Sequence, residues 1–272
     1  MLKILMAVIL MVMFLPVTAS AQSRNVEIDG DHGKLAAVIQ TPDGKTKFPL
    51  VIICHGFTGN KESKLLTSLA DYLEAAGIAS IRFDFNGHGA SEGRFEDMTV
   101  LNEIEDAKKV YEYVRDMRGV TSVSIAGHSQ GGVVTSMVAG ELGVENVKSI
   151  ALMAPAAVLR DDAIRVILQG TTYDSINVPE YVGIYRGLRV GRNYIKTAQT
   201  LPIYETAANY EGSAFMIHGL ADIIVPYTYS LRYQEIFKGS KVELLKGFDH
   251  GFTQDEKLTA RKVADFFISQ LK

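Results

Sequence analysis

Val123–Met137 reads VSIAGHSQGGVVTSM, and the order of residues within it decides the architecture. An apolar-leaning run ends at Gly127, Ser129 stands between Gly127 and Gly131, and helical spacing begins directly behind the glycines. A strand that turns into a helix across Gly-x-Ser-x-Gly lifts the serine oxygen above a sheet, and the glycines let strand and helix approach without a clash. A serine that only packs needs no such turn. A serine that attacks a carbonyl needs it, with a base to take its proton.

Working outward, the chain alternates between the periods of strands and helices. Val26–Asp29 and Lys34–Gln40 read as a hairpin around DGDHG, and Leu50–Cys54 as a short apolar strand buried on both faces. Ser63–Ala76 carries helical spacing and stops at Gly77, Ile78–Phe85 is strand-like, and Val100–Met117 is amphipathic. Val120–Ala126, Val147–Met153, Ala214–His218 and Val242–Leu245 read as further strands, Gly131–Ala139 as a helix and Lys257–Leu271 as a closing helix. Strands alternating with helices predict a mostly parallel α/β sheet covered on both faces. One stretch, about 155–204, breaks the rhythm. It is too long for an ordinary connection and too apolar for a linker, so it reads as an inserted lid.

The base that serves Ser129 has to come from a loop that can reach it. All six histidines neighbour a glycine, so that context does not discriminate among them. His250, in GFDHGF between the last strand and the closing helix, has the right position. An acid that orients the base is expected between serine and histidine in chain order, and HGLADIIVP offers Asp222 just past a strand. The developing oxyanion needs two N–H donors. Gln130 supplies one and Phe57, in the HGFTGNK loop, the other, both through the backbone. In RFDFNGHGASEG the glycines do not open a helix as a dinucleotide site requires, so Asp84 and His88 read as braces of the loop beside the site. Neither metal nor cofactor is implied by any Cys/His spacing. Cys54, the single cysteine, reads as a buried strand residue.

The N-terminus has a character of its own. Lys3, the apolar run Ile4–Leu15 and Ala19-Ser20-Ala21 have the order of a secretory signal peptide, Met1–Ala21, with residues 22–272 as the mature domain. An uncleaved anchor is the alternative, disfavoured by the shortness of the run. This predicts an exported protein, periplasmic or secreted, with no stable membrane insertion after cleavage. Losing Lys3 takes the formal net charge from -3 to -4, and with no basic run in the chain a nucleic-acid partner is not expected.

With Ser129, Asp222, His250 and the HGF loop placed, residues 22–272 resemble an α/β-hydrolase along nearly their whole length. More narrowly, HGFTGNK, FDFNGHGASEG, GHSQGG and HGLADIIVP resemble the blocks of bacterial cinnamoyl/feruloyl esterases. The resemblance implies a serine esterase whose lid covers the ring of a hydroxycinnamate (feruloyl, coumaroyl or caffeoyl) ester, such as a plant-wall-derived sugar ester. It also implies Asp161, Gln169 and Tyr194 as ring-contacting residues, although Asp161 can equally cap a helix, Gln169 lie on the surface and Tyr194 pack within the lid. The rival readings are a short- or medium-chain acyl esterase or monoacylglycerol-lipase-like enzyme, a serine peptidase, and a non-catalytic binding protein on the same scaffold.

Overall fold

Apolar runs buried from two sides make the centre of the molecule. A computed structural model describes residues 22–272, and the signal-peptide reading of Met1–Ala21 lies outside them. In chain order the elements begin with β1 (Gln22–Asp29), β2 (Lys34–Thr41), β3 (Phe48–Cys54), α1 (Lys64–Ala75), β4 (Ala79–Phe83), α2 (Val100–Arg115), β5 (Val120–His128), α3 (Gln130–Leu142) and β6 (Ser149–Met153). An insertion follows with α4 (Val158–Ile164), β7 (Ile167–Leu168), β8 (Thr171–Thr172), β9 (Tyr181–Gly183), β10 (Arg189–Gly191), α5 (Arg192–Thr200) and α6 (Ile203–Ala207). The chain then resumes as β11 (Ser213–Gly219), α7 (Thr228–Ile236), β12 (Lys241–Leu245) and α8 (Glu256–Leu271).

Among the described residues the main sheet has eight strands in the order β1-β2-β4-β3-β5-β6-β11-β12. β1–β2 and β2–β4 are antiparallel and every later pairing is parallel. Alternation along each strand divides the core in two. Leu50, Ile52 and Cys54 belong to one cluster and Val51 and Ile53 to the other; Ile150 and Leu152 likewise oppose Ala151 and Met153. Leu65, Leu69 and Leu73 of α1 and Val263 and Phe267 of α8 cover the second face, while α2 and α3 cover the first. Such strands lack a polar face because neither side meets water.

Helix ends follow local chemistry. The Thr99 side chain accepts from Asn102 N–H at the start of α2 and that of Asp255 from Leu258 N–H at the start of α8. α1 closes through Gly77 at φ +81, with Ile78 N–H donating to Leu73 O at 2.9 Å. The parallel strands β3, β5 and β11 all end at the same edge of the sheet, which is where an open α/β sheet gathers its functional loops.

Candidate active site

The turn from β5 into α3 holds Ser129 at φ 55 and ψ -122, a conformation that ordinary L-residues avoid. Its surroundings over-determine it. Ser129 N–H donates to Met153 O at 2.9 Å, and Ser129 O accepts from Gly132 N–H at 2.9 Å and Ala156 N–H at 3.0 Å. A Cβ on Gly127 would sit 2.1 Å from Gly131 O, and one on Gly131 2.3 Å from His55 O. The glycines on either side of the serine are thus required by backbone-to-backbone contact.

His250, in the loop after β12, brings Nε2 to 2.9 Å from Ser129 Oγ, while Nδ1–H donates to Asp222 Oδ2 at 2.7 Å. Asp222 follows β11, and its Oδ1 accepts from Ile224 N–H at 2.9 Å and Val225 N–H at 2.8 Å. Burial opposes ionisation of Asp222, but hydrogen bonds from His218 and His250 overcome it and hold the carboxyl well below the usual range. An ionised Asp222 fixes the proton of His250 on Nδ1 and leaves Nε2 as an acceptor for the serine hydroxyl. Hydroxyl, imidazole and carboxylate in series can generate an alkoxide-like nucleophile and return the proton to a leaving group.

The loop after β3 lies against the serine. A Cβ on Gly56 would come within 2.8 Å of Ser129 Cβ, so this position admits glycine only. Among the described residues neither Phe57 N–H nor Gln130 N–H donates to a protein acceptor. Both residues border Ser129 in a cleft of about 260 Å³.

Against this geometry the comparisons are specific. A family model described as serine aminopeptidase, S33 (Hydrolase_4) matches residues 46–175. Est1E from Butyrivibrio proteoclasticus, solved with ferulic acid bound, is 31% identical and superposes with a TM-score of 0.87, covering 90% of this chain and 98% of its own. The chain belongs to the α/β-hydrolases. Esterase EstD of Thermotoga maritima is 25% identical over 176 residues, 59% of this chain and 41% of its own. An uncharacterised 31.7 kDa Escherichia coli protein from the traX-finO intergenic region is 32% identical over 100 residues, or 36% of this chain. That match spans about a third (35%) of the E. coli protein's length.

The hydrolase brings Gln169 and Tyr194 to the cleft but not Asp161. Asp161 accepts a 2.6 Å hydrogen bond from Tyr229 OH, and its neighbour Asp162 lines the cleft instead. Both lie on α4, where one residue turns the side chain by about 100°, so adjacent acids face different surroundings. The sequence reading named Asp161, whereas the acid on the cleft is Asp162. Burial pushes the Asp162 carboxyl up. Gln169 sits at φ 48 and Gly170 at φ 82, the two-residue turn that closes the β7–β8 hairpin. Tyr194 is 4% exposed and donates to Gln130 Oε1 at 2.8 Å, with its ring 5.6 Å from that of Phe57. It presents a ring to the cleft while its hydroxyl is engaged.

Supporting residues surround the site; His218, His128 and His55 were not singled out by sequence, whereas Asp84 was. His218 is fully buried; its Nε2–H donates to Asp222 Oδ2 at 3.1 Å and Val225 O at 2.9 Å, so Nδ1 accepts from Ser230 Oγ at 2.7 Å. His128 Nε2–H donates to the His250 carbonyl at 2.9 Å, and burial together with the His250 ring lowers its pKa to about 4. His55 Nδ1–H donates to Gly56 O at 2.8 Å and its Nε2 accepts from Phe85 N–H at 3.1 Å, tying the loop after β3 to the one after β4. Asp84 adds the Lys61 backbone at 2.6 Å, Lys61 Nζ at 2.7 Å and Ala90 N–H at 2.8 Å. The readable signal was the spacing from His218 to Asp222, which closes a turn around the carboxylate.

Proposed function

We propose that this hydrolase cleaves hydroxycinnamate esters by the serine route. The observation that carries the chemistry is the continuous hydrogen-bond series Ser129–His250–Asp222 beneath two unpaired amides. His250 Nε2 takes the Ser129 proton as Oγ bonds to the ester carbonyl carbon. The negative charge on the carbonyl oxygen is met by Phe57 and Gln130 N–H. Collapse breaks the carbon–oxygen bond to the alcohol, which leaves with the proton from His250, and an acyl-serine remains. Water then repeats the sequence, giving its proton to His250 and returning the serine. No cofactor takes part.

For the acyl group, support comes from the Phe57 and Tyr194 rings that line the cleft, the polar Asp162 and Gln169 on the same cleft, and the likeness to a protein solved with ferulic acid bound. The Asp162 carboxylate can accept a hydrogen bond from a phenolic hydroxyl. The aliphatic Val158, Leu159 and Leu168 on the same cleft favour the second reading, a short- or medium-chain acyl group. Export through Met1–Ala21 completes the proposal, placing the substrate outside the cytoplasm.

The test is the ratio of kcat/KM for methyl ferulate to that for methyl butyrate, with Ser129→Ala as blank. A ratio well above one, reduced about tenfold or more in Asp162→Ala, supports hydroxycinnamate recognition. A ratio below one transfers the assignment to aliphatic acyl esters, and activity retained by Ser129→Ala removes the nucleophile.

A further inference from the structure

The loop that holds the triad carboxylate has a second feature. Asp222 Oδ1 gathers the N–H groups of Ile224 and Val225, and the turn this makes leaves Ile223 96% exposed and Ile224 52% exposed. Scattered apolar residues on a surface need no explanation. These two need one, because both line the catalytic cleft, as does Ile167, itself 41% exposed, from the β7–β8 hairpin.

An ester presents two parts to such a cleft, and the position of His250 helps to separate them. The leaving oxygen must come within hydrogen-bond reach of Nε2 to receive its proton. His250 Nε2 faces Ser129 Oγ, and Ile223 and Ile224, which directly follow Asp222, line the same cleft as Ser129. Among the described residues, the cleft's polar side chains without a hydrogen-bond partner, Asp162 and Gln169, belong to the insertion. We infer that Ile223 and Ile224 form the subsite for the alcohol portion of the ester, and that this portion is an apolar alkyl or aryl group in place of the sugar implied by the family resemblance. A sugar over these side chains would give up hydration of its hydroxyls with no partner from the loop, whereas an alkyl chain would remove apolar surface from water on both partners. The inference deepens the proposed function and rests on His250 as proton donor to the leaving group.

The experiment varies the alcohol at fixed acyl group. Methyl, butyl and octyl ferulate and 5-O-feruloyl arabinose are compared below their aggregation limits, and the methyl, butyl and octyl series is repeated with butyrate as the acid. The expected result is a rise in kcat/KM on the order of tenfold from methyl to octyl, in both acyl series, with feruloyl arabinose below octyl ferulate. In the double variant Ile223→Ser, Ile224→Ser the octyl-to-methyl ratio should fall towards one. A flat alcohol series, a preference for the arabinose ester, or an octyl-to-methyl ratio unchanged in the double variant overturns the subsite. Failure of the acyl reading shows separately: butyrates would outpace ferulates while the alcohol ratio still reports the subsite. Turnover of neither series removes the serine-ester reading and this subsite together.

Discussion

Glu103 joins two parts of the site without touching the reacting atoms. It lies on α2 at 1% exposure, accepts from Gln130 Nε2 at 2.8 Å, and has a second oxygen, Oε1, with no protein partner among the described residues. Gln130 in turn accepts from Tyr194, so one buried chain runs from α2 past the residue after Ser129 to α5 of the insertion. Burial, with Asp106 close by on the same helix, pushes the Glu103 carboxyl up to about 8. The folded chain therefore holds this proton after the unfolded chain has released it. The stability contribution is full below the ordinary carboxylate range, declines as pH rises through about 8, and is flat above. Between pH 6 and 9 the loss should be on the order of 2 kcal/mol, a few degrees in Tm. Glu103→Gln keeps an acceptor for Gln130 and removes the titration, so its melting temperature should depend less on pH over that interval. Parallel pH slopes for variant and parent would exclude Glu103 as the source.

Glycines at helix contacts set a similar contest among the elements. Gly140 lies inside α3, where exchange for alanine ordinarily stabilises a helix by about 1 kcal/mol. Here a Cβ would meet Thr206 O, at the end of the insertion, at 2.0 Å. Backbone cannot rotate away as a side chain can, and forced overpacking costs about 1–3 kcal/mol or more. Packing wins: Gly140→Ala should lower Tm by several degrees, and a raised Tm would mean that α3 and α6 have room between them. The same contrast between local signal and tertiary contact explains what the sequence made legible. Leu50–Cys54 and Val147–Met153 read as strands because burial on two faces leaves an unbroken apolar run. α7 was missed because only Ser230 and Tyr233 of its nine residues are buried, too thin a stripe for a helical period to stand out. The strands β7 to β10 are two or three residues long, below the length at which alternation exists. Ser129, His250 and Asp222 were legible from a turn motif and chain order. Asp162 was not, because spacing within a loosely patterned insertion does not say which of two adjacent acids faces inward. Nor was His218 as a hydrogen-bond donor to Asp222, since that contact depends on how the turn folds back.

The molecule as a whole carries a built-in reporter of its unfolding. Cys54 is the single cysteine, fully buried at the end of β3, with β4 and β5 on either side and α3 starting against its carbonyl. Burial pushes its thiol far up, and nearby Glu103 adds to this, so the native protein presents neither access nor thiolate to a disulfide reagent. β3 contributes to both cores, Cys54 and Ile52 to one and Val51 and Ile53 to the other. Detaching the insertion uncovers the cleft but leaves both covers of β3 in place. Loss of activity in urea should therefore precede or accompany labelling of Cys54, while labelling should follow the far-UV circular dichroism transition with the same midpoint. Rapid labelling without denaturant, or a labelling midpoint well below the dichroism midpoint, would mean that the central sheet opens while most of its helices persist. Coincident labelling and dichroism, with activity lost earlier, would assign the weaker unit to the insertion that lines the cleft and the stronger one to the sheet that holds Ser129.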